Sequence, residues 1–304
     1  MRHARLSFAV FALLSLAVFG AVASGSAPPP PAAPRAPGQS DPPSSTRQSS
    51  RVLDTSLLVT WYGNPWSERM GILGRMKGET LAAGLKQQAA AYAKVTDKSV
   101  VPAYELVAVI GQPQPGRDGR YRRRESRQVI DRMLREARAA GFKLILDVQT
   151  GHSSVLAELS YLAPYLQEPD VYLALDPEFS MGNGGVPGQR IGQMHADDVN
   201  DAIAVLEYLQ ERYQLPPKVL IVHQFTMDML PDKGKIWNSS ALDVVLVADG
   251  FGSPALKRNT YSMVLRQHPL AYSGFKLFYI QDTDLLQPAQ VLALTPSPSV
   301  VIYQ

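Results

Sequence analysis

The chain has no cysteine among its 304 residues. That excludes disulfides, thiolate metal sites, cysteine nucleophiles and a lipid-modified N-terminal cysteine. Other familiar signatures are missing too. No HxH or HExxH pairs imidazoles for a metal, no GxSxG presents a serine, and no GxGxxG follows a first strand. Charge of one sign is also missing. Thirty basic residues face 27 acidic ones, and Arg2 and Arg5 lie in a leader that carries no acid, so 28 against 27 remain without it. So even a balance gives no field to attract a polyanion, and nucleic acid is not an expected partner.

What is present begins with the leader. MRHARLSFAVFALLSLAVFGAVAS has a basic start, an apolar stretch from Leu6 to Val22 and the small-x-small triplet Ala21-Val22-Ala23. The pattern predicts a signal peptide over 1–23; the alternative is an uncleaved anchor, for which about 17 apolar residues is short. Residues 24–51 are dominated by Pro, Ser and Ala. Such a segment buries too little apolar surface to offset its ordering entropy and is expected to be an extended linker. The expected location is secreted or attached to the cell envelope, with the folded domain spanning 52–304.

From residue 52 on, apolar runs alternate with polar loops and helical stretches. The runs are LLVTWY (57–62), YELVAVIG (104–111), KLILDVQ (143–149), VYLALD (171–176), KVLIVHQF (218–225), DVVLVADG (243–250), FKLFYIQD (275–282) and SVVIYQ (299–304). Near-continuous apolar runs suit strands covered on both faces, as in parallel sheets. Helices are expected over 79–95, 123–142, 195–215, 261–269 and 288–296. In the second, Val129, Ile130, Met133, Leu134 and Ala137 share one face and Gly141 signals the stop; in the third, Val199, Ala202, Ile203, Leu206 and Leu209 form the stripe. Eight strands with interleaved helices over about 250 residues predict an α/β fold, a (β/α)8 TIM barrel. An open doubly wound sheet is the rival.

In such a barrel the working face lies at the C-terminal ends of the strands. Those ends carry Tyr62, Asn64 and Trp66, then Glu105, then Asp147, Gln149 and His152. Asp176 and Glu178 follow, then His223 and Gln224, Asp249, Gln281 and Asp282, and Tyr303. Asp176 and Glu178 are two apart, which on an extended strand points both to one face. Carboxyl groups crowded in a poorly solvated mouth have pKa values pushed apart, so one holds its proton while another stays ionised. Glycoside cleavage needs that pair, and Asp147, Asp249 and Asp282 are the candidate partners of Glu178. Sugar rings stack on aromatic side chains, a use open to Tyr62 and Trp66.

LALDPEF at the end of the fourth strand resembles the Asp-x-Glu of barrel glycoside hydrolases, the chitinase-like and lysozyme-like groups. The resemblance covers about seven residues. It implies Glu178 as general acid and Asp176 as the residue that positions substrate. The chain departs from the chitinase-like pattern at Ala174 and Val171, where further aspartates would stand. It departs from the lysozyme-like pattern at Tyr62-Gly63-Asn64, where that group has an acid.

Two loops stand out. SMGNGGVPGQRIGQM (180–194) has five glycines and is expected to be a lid over Asp176 and Glu178. PGRDGRYRRRESR (115–127) is basic, and its Arg117, Arg120, Arg122 and Arg123 are candidates for an anionic polymer. The expected activity is hydrolysis of a cell-wall or extracellular polysaccharide without a cofactor. A barrel that binds glycan without cutting it is one alternative. The other is metal-dependent hydrolysis by Asp147, His152, Asp176, Glu178, His223 and Asp249.

Overall fold

The computed structural model describes residues 51–182, 184–266 and 270–304. The leader, the linker up to residue 50, Asn183 of the glycine-rich loop and residues 267–269 of the expected helix 261–269 lie outside the described residues. Eight parallel strands close on themselves. They are β1 (Ser56–Gly63), β2 (Ser99–Gly111), β4 (Lys143–Val148), β5 (Val171–Leu175), β6 (Lys218–Gln224), β7 (Leu242–Ala248), β8 (Tyr272–Leu277) and β9 (Val300–Tyr303). Each pairs with the next, and β9 returns to β1. Followed once around, the register slips by about 8 residues, the shear of (β/α)8 barrels. The chain has a TIM-barrel fold. A short strand, β3 (Arg122–Arg124), adds antiparallel to the end of β2.

The continuous apolar runs are explained by two cores. Alternate residues such as Leu58, Val107, Ile145, Ala174, Val219, Ile221, Val245, Val247 and Ile302 fill the barrel. Their neighbours, among them Leu57, Val59, Leu144, Leu146, Leu220 and Val222, face outward against the helices. Fully burying such a side chain is worth about 1.5–3 kcal/mol. The helical layer comprises α2 (Ile72–Arg75), α3 (Gly78–Ala93), α4 (Arg127–Ala140), α5 (Val155–Leu166), α6 (Ala196–Tyr213), α7 (Pro254–Arg266) and α8 (Pro288–Leu292). On α4 the buried residues are the five of the expected stripe, and Gly141 ends the helix at φ 77°, a left-handed cap that glycine adopts without strain. On α6 the stripe is likewise buried, and Asp198 accepts from the backbone N–H of His195 to close the first turn. A single turn, α1 (Val52–Thr55), plugs the opposite end of the barrel; its Leu53 is buried and donates its N–H to Asp243.

Several boundaries differ from those expected. Residues 122–124 extend the sheet, so α4 starts at Arg127, after the Ser126 that precedes it. Helix α7 starts at Pro254, where proline's fixed φ suits a first turn. Helix α5 is not among the helices expected from the sequence; its Ser154 side chain caps the N–H of Ala157. Strand β8 runs from Tyr272 to Leu277, not over 275–282, so Gln281 and Asp282 lie in the loop beyond it. Among the described residues no helix is long and apolar enough to cross a membrane.

Candidate active site

Strand parity builds the site. The alternation that turns Val245 and Val247 inward also turns Asp249 inward just past β7. In the same way Ile145 leads to Asp147, Ala174 to Asp176, Ile221 to His223, Ala103 to Glu105 and Leu58 to Tyr62. On β8, Gly274 leads to Lys276. A Cβ on Gly274 would come within 2.5 Å of the Val247 side chain, so this strand approaches its neighbour where it carries no side chain.

These residues interlock. His223 is completely buried between two carboxylates: Nε2 lies 3.1 Å from Glu105 Oε1 and Nδ1 lies 3.1 Å from Asp249 Oδ2. The second contact is off the line of a good hydrogen bond and is ionic in character. Thr60 donates to the other oxygen of Glu105 at 2.9 Å. Lys276 Nζ donates to Asp249 Oδ2 at 3.0 Å and sits 3.9 Å above the centre of the Tyr62 ring. Gln149 accepts from the N–H of Gly111 and donates to Asp176 at 3.1 Å and to the Tyr62 hydroxyl at 3.3 Å. Asp147 is buried, and neither of its carboxyl oxygens finds a hydrogen-bond partner among the described residues.

Electrostatics divides the carboxyl groups. Burial, reinforced by the charges of Asp176 and Asp249, pushes Glu178 well above the usual carboxylate range. Burial and neighbouring Asp176 do the same to Asp147, and burial raises Asp176. For Asp249 burial works upward as well, but the Lys276 and His223 charges outweigh it and hold the group below its ordinary value. Burial works to lower His223 and Lys276, yet their acidic partners leave both raised and therefore charged. The two carboxyls are thus displaced in opposite directions, Glu178 toward keeping its proton and Asp249 toward losing it.

Glu178 and Asp249 open onto one cavity of about 620 Å³ at the C-terminal end of the barrel. Its floor is Tyr62, Gln149, Lys276 and the two carboxyls, with Gln281 at the edge. Its wall is mostly apolar, with Phe179, Phe225, Phe251 and Phe278 beside Met70, Ile110 and Leu256; Arg69, Thr260 and Gln304 also line it. No family profile matches the chain, and no curated protein shows significant sequence similarity to it.

Of the residues expected at the site, Tyr62, Gln149, Glu178, Asp249 and Gln281 line the cavity, and Glu105, Asp147, Asp176 and His223 are buried at the same end of the barrel. The one-face argument for Asp176 and Glu178 does not hold. β5 ends at Leu175, and Pro177–Phe179 form a 3-10 turn that rotates Glu178 away from Asp176. Six other residues do different work. Asn64 is buried and donates to Val107 O and Glu125. Trp66 is 61% exposed, with Arg132 over its ring. His152 bonds Gly185 O and packs on Tyr121. Gln224 donates to Thr226 O and accepts from buried Lys233, which organises the β6–β7 connection. Asp282 accepts from the N–H groups of Gly252 and Phe278 and pairs with Lys257. Tyr303 has outward parity and bonds the Tyr92 hydroxyl at 2.8 Å in the helix layer.

The glycine-rich loop is not a lid over the cavity in this structure. Met181 and Met194 anchor it in the interior, and Ser180, Gly182 and Gln193 line a neighbouring groove with Arg120, Arg122 and Arg124. Arg122 and Arg124 both pair with buried Glu158, and Arg123 pairs with Glu125. Among the described residues no group of three or more His, Asp or Glu is arranged to hold a metal ion. The positive charges within the cluster are those of Lys276 and His223. Lys276 was not among the expected site residues; its signal was period-2 parity in YSGFKL, hidden by the longer apolar run that begins at Phe275.

Proposed function

We propose that the barrel hydrolyses a glycosidic bond, with Glu178 as general acid and Asp249 as the second carboxylate. One observation carries the reading: two carboxyl groups share a cavity, one held well above the usual carboxylate range and the other below it. The position of Asp176-x-Glu178 after the fourth barrel strand, which resembles chitinase-like and lysozyme-like hydrolases, adds support.

Glu178 gives its proton to the glycosidic oxygen as the C–O bond breaks. Asp249 either attacks the anomeric carbon, forming an ester that water then cleaves, or takes a proton from a water that attacks directly. Both routes consume one water and free two hydroxyl groups. Lys276 and His223 keep Asp249 ionised, and Glu105 holds His223 in its charged form from behind. Asp176 is a positioning residue: it orients Gln149, and its charge helps Glu178 keep its proton. The leader and linker support a secreted or envelope location, where extracellular glycosides and polysaccharides are substrates at hand.

The test is release of reducing sugar from a panel of glycosides and oligosaccharides. Glu178→Gln and Asp249→Asn should each lower kcat by about 10²–10⁴-fold, with Asp249→Asn also less stable because it leaves Lys276 and His223 without their shared carboxylate. The pH profile should rise as Asp249 ionises, below the usual carboxylate range, and fall as Glu178 loses its proton, above it. Turnover within tenfold of wild type in both variants would sink the assignment. Binding without turnover would favour a glycan-binding barrel.

A further inference from the structure

The polar groups of the cavity are gathered on its floor, where Glu178, Asp249, Lys276 and Gln149 offer partners for the hydroxyls of one sugar ring. Of the rest of the lining, Arg69, Thr260, Gln281 and Gln304 are polar and the larger part is apolar. Phe179, Phe225, Phe251 and Phe278 carry no hydrogen-bonding side-chain atom, so a sugar laid against them is held by stacking alone, whereas an alkyl or aryl group gains from burial against all four.

The wall is also held rigidly. Gly252 and Phe278 donate their N–H groups to Asp282, both at 2.9 Å. Buried Lys257 bridges Asp282, Gly250 O and Lys276 O at 2.7–3.0 Å, which clips the β7–α7 loop to the end of β8. Phe251 and Phe278 meet edge to face at 5.8 Å. Phe179 is seated on Gly111, where a Cβ would stand 2.9 Å from its ring. Yet Phe251 is 57% and Leu256 52% exposed. Exposed apolar side chains fixed in place by a buried ion pair form a preorganised surface for an apolar ligand group.

We infer that the substrate is a glycoside with an apolar aglycone, an alkyl or aryl group lodged against Phe225, Phe251, Leu256 and Phe278 while the sugar meets the carboxyls. The inference rests on the hydrolytic reading for the position of the sugar. Octyl and methyl glycosides of several common sugars separate the two ideas, because their leaving alcohols are of similar acidity and differ in apolar length.

Binding to Glu178→Gln protein is measured by calorimetry below the micelle concentration, and kcat/KM is measured on wild type. At least one octyl glycoside should bind and react about tenfold or more better than its methyl counterpart. Phe251→Ser, at a position 57% exposed, should remove most of that preference, read as the octyl-to-methyl ratio so that any general loss cancels. Equal affinity for octyl and methyl forms, no binding of any octyl glycoside, or a preference that survives Phe251→Ser would overturn the inference. So would oligosaccharides reacting better than octyl glycosides, the outcome expected of a polysaccharide enzyme. Tight octyl binding that Phe251→Ser abolishes, with no turnover of any glycoside, would uphold the apolar subsite and remove the hydrolytic reading alone.

Discussion

Replacing Lys276 by methionine keeps the length of a buried side chain and deletes its charge. In the native barrel Nζ lies 3.0 Å from Asp249 Oδ2, and the side chains are only 3% and 5% exposed. At an effective dielectric of about 20, unit charges at that separation attract by about 5–6 kcal/mol. His223 remains 3.1 Å from the same carboxylate and covers part of the loss. The expected destabilisation at pH 7 is therefore about 3 kcal/mol, the low end for breaking a buried pair. For a domain of this size that lowers Tm by about 6–12 °C. The pH dependence has a definite sign. The raised folded pKa of Lys276 keeps it charged through neutral pH, so its side of the pair does not vary there. Asp249 has a lowered folded pKa, so its contribution is present above its unfolded pKa and is lost as pH falls through the folded value. Without Lys276 the carboxyl is no longer held down, and protonation relieves the penalty. The gap between wild type and Lys276→Met should narrow from pH 7 toward pH 4. Urea or thermal unfolding of wild type, Lys276→Met, Asp249→Asn and the double variant measures both the gap and the coupling. A gap under about 1 kcal/mol at pH 7, or one that does not change with pH, would refute the claim that Lys276 keeps Asp249 ionised.

Two further outcomes follow from the same geometry. Asp147 has a raised folded pKa, so the folded state binds the extra proton, and stability is lost as pH rises from the unfolded value toward the folded one. Asp147→Asn lacks that loss and should gain on wild type between pH 4 and pH 7; unfolding curves that stay parallel would contradict it. Tyr303→Phe leaves the buried Tyr92 hydroxyl without its 2.8 Å partner, at a cost of about 1–3 kcal/mol. Because Tyr303 faces the helix layer, kcat and KM should not move, and a changed KM would place it in the cavity after all.

The barrel was legible because parallel strands buried on both faces leave apolar runs with little disguise, and eight of them alternated with amphipathic stripes such as those of α4 and α6. The residues on strands of clear parity were legible too: Glu105, Asp147, His223 and Asp249 each follow an inward apolar neighbour by two positions. What was hidden depended on where a strand stops. β8 ends at Leu277, but the apolar run continues through Phe278, Tyr279 and Ile280, so Lys276 read as a strand start and Asp282 as a strand end. The phenylalanine wall was hidden for another reason. Apolar residues beyond strand ends look like core in a sequence, and the clip made by Lys257 and Asp282, which fixes the backbone at Gly252 and Phe278, sets Phe251 and Phe278 against the cavity.

The sequence left three aspartates open as partners of Glu178, and physical chemistry separates them. Asp282 has both oxygens engaged by backbone N–H groups and shares its charge with Lys257, so it is occupied with holding loops. Asp147 is buried away from the cavity with no hydrogen-bond donor among the described residues, and burial and the Asp176 charge outweigh the pull of His223 and Lys276 and hold it well above the usual carboxylate range. Asp249 alone of the three both lines the cavity and has cations against it. The division has a common cause. Glu105, Asp147, Asp176, Glu178 and Asp249 are gathered at one end of the barrel against Lys276 and His223. Two cations cannot compensate five ionised carboxyls in a poorly solvated space. Protonation is therefore favoured on Asp147 and Glu178, and the contacts of Lys276 and His223 with Asp249 separate acid from base in the proposed reaction.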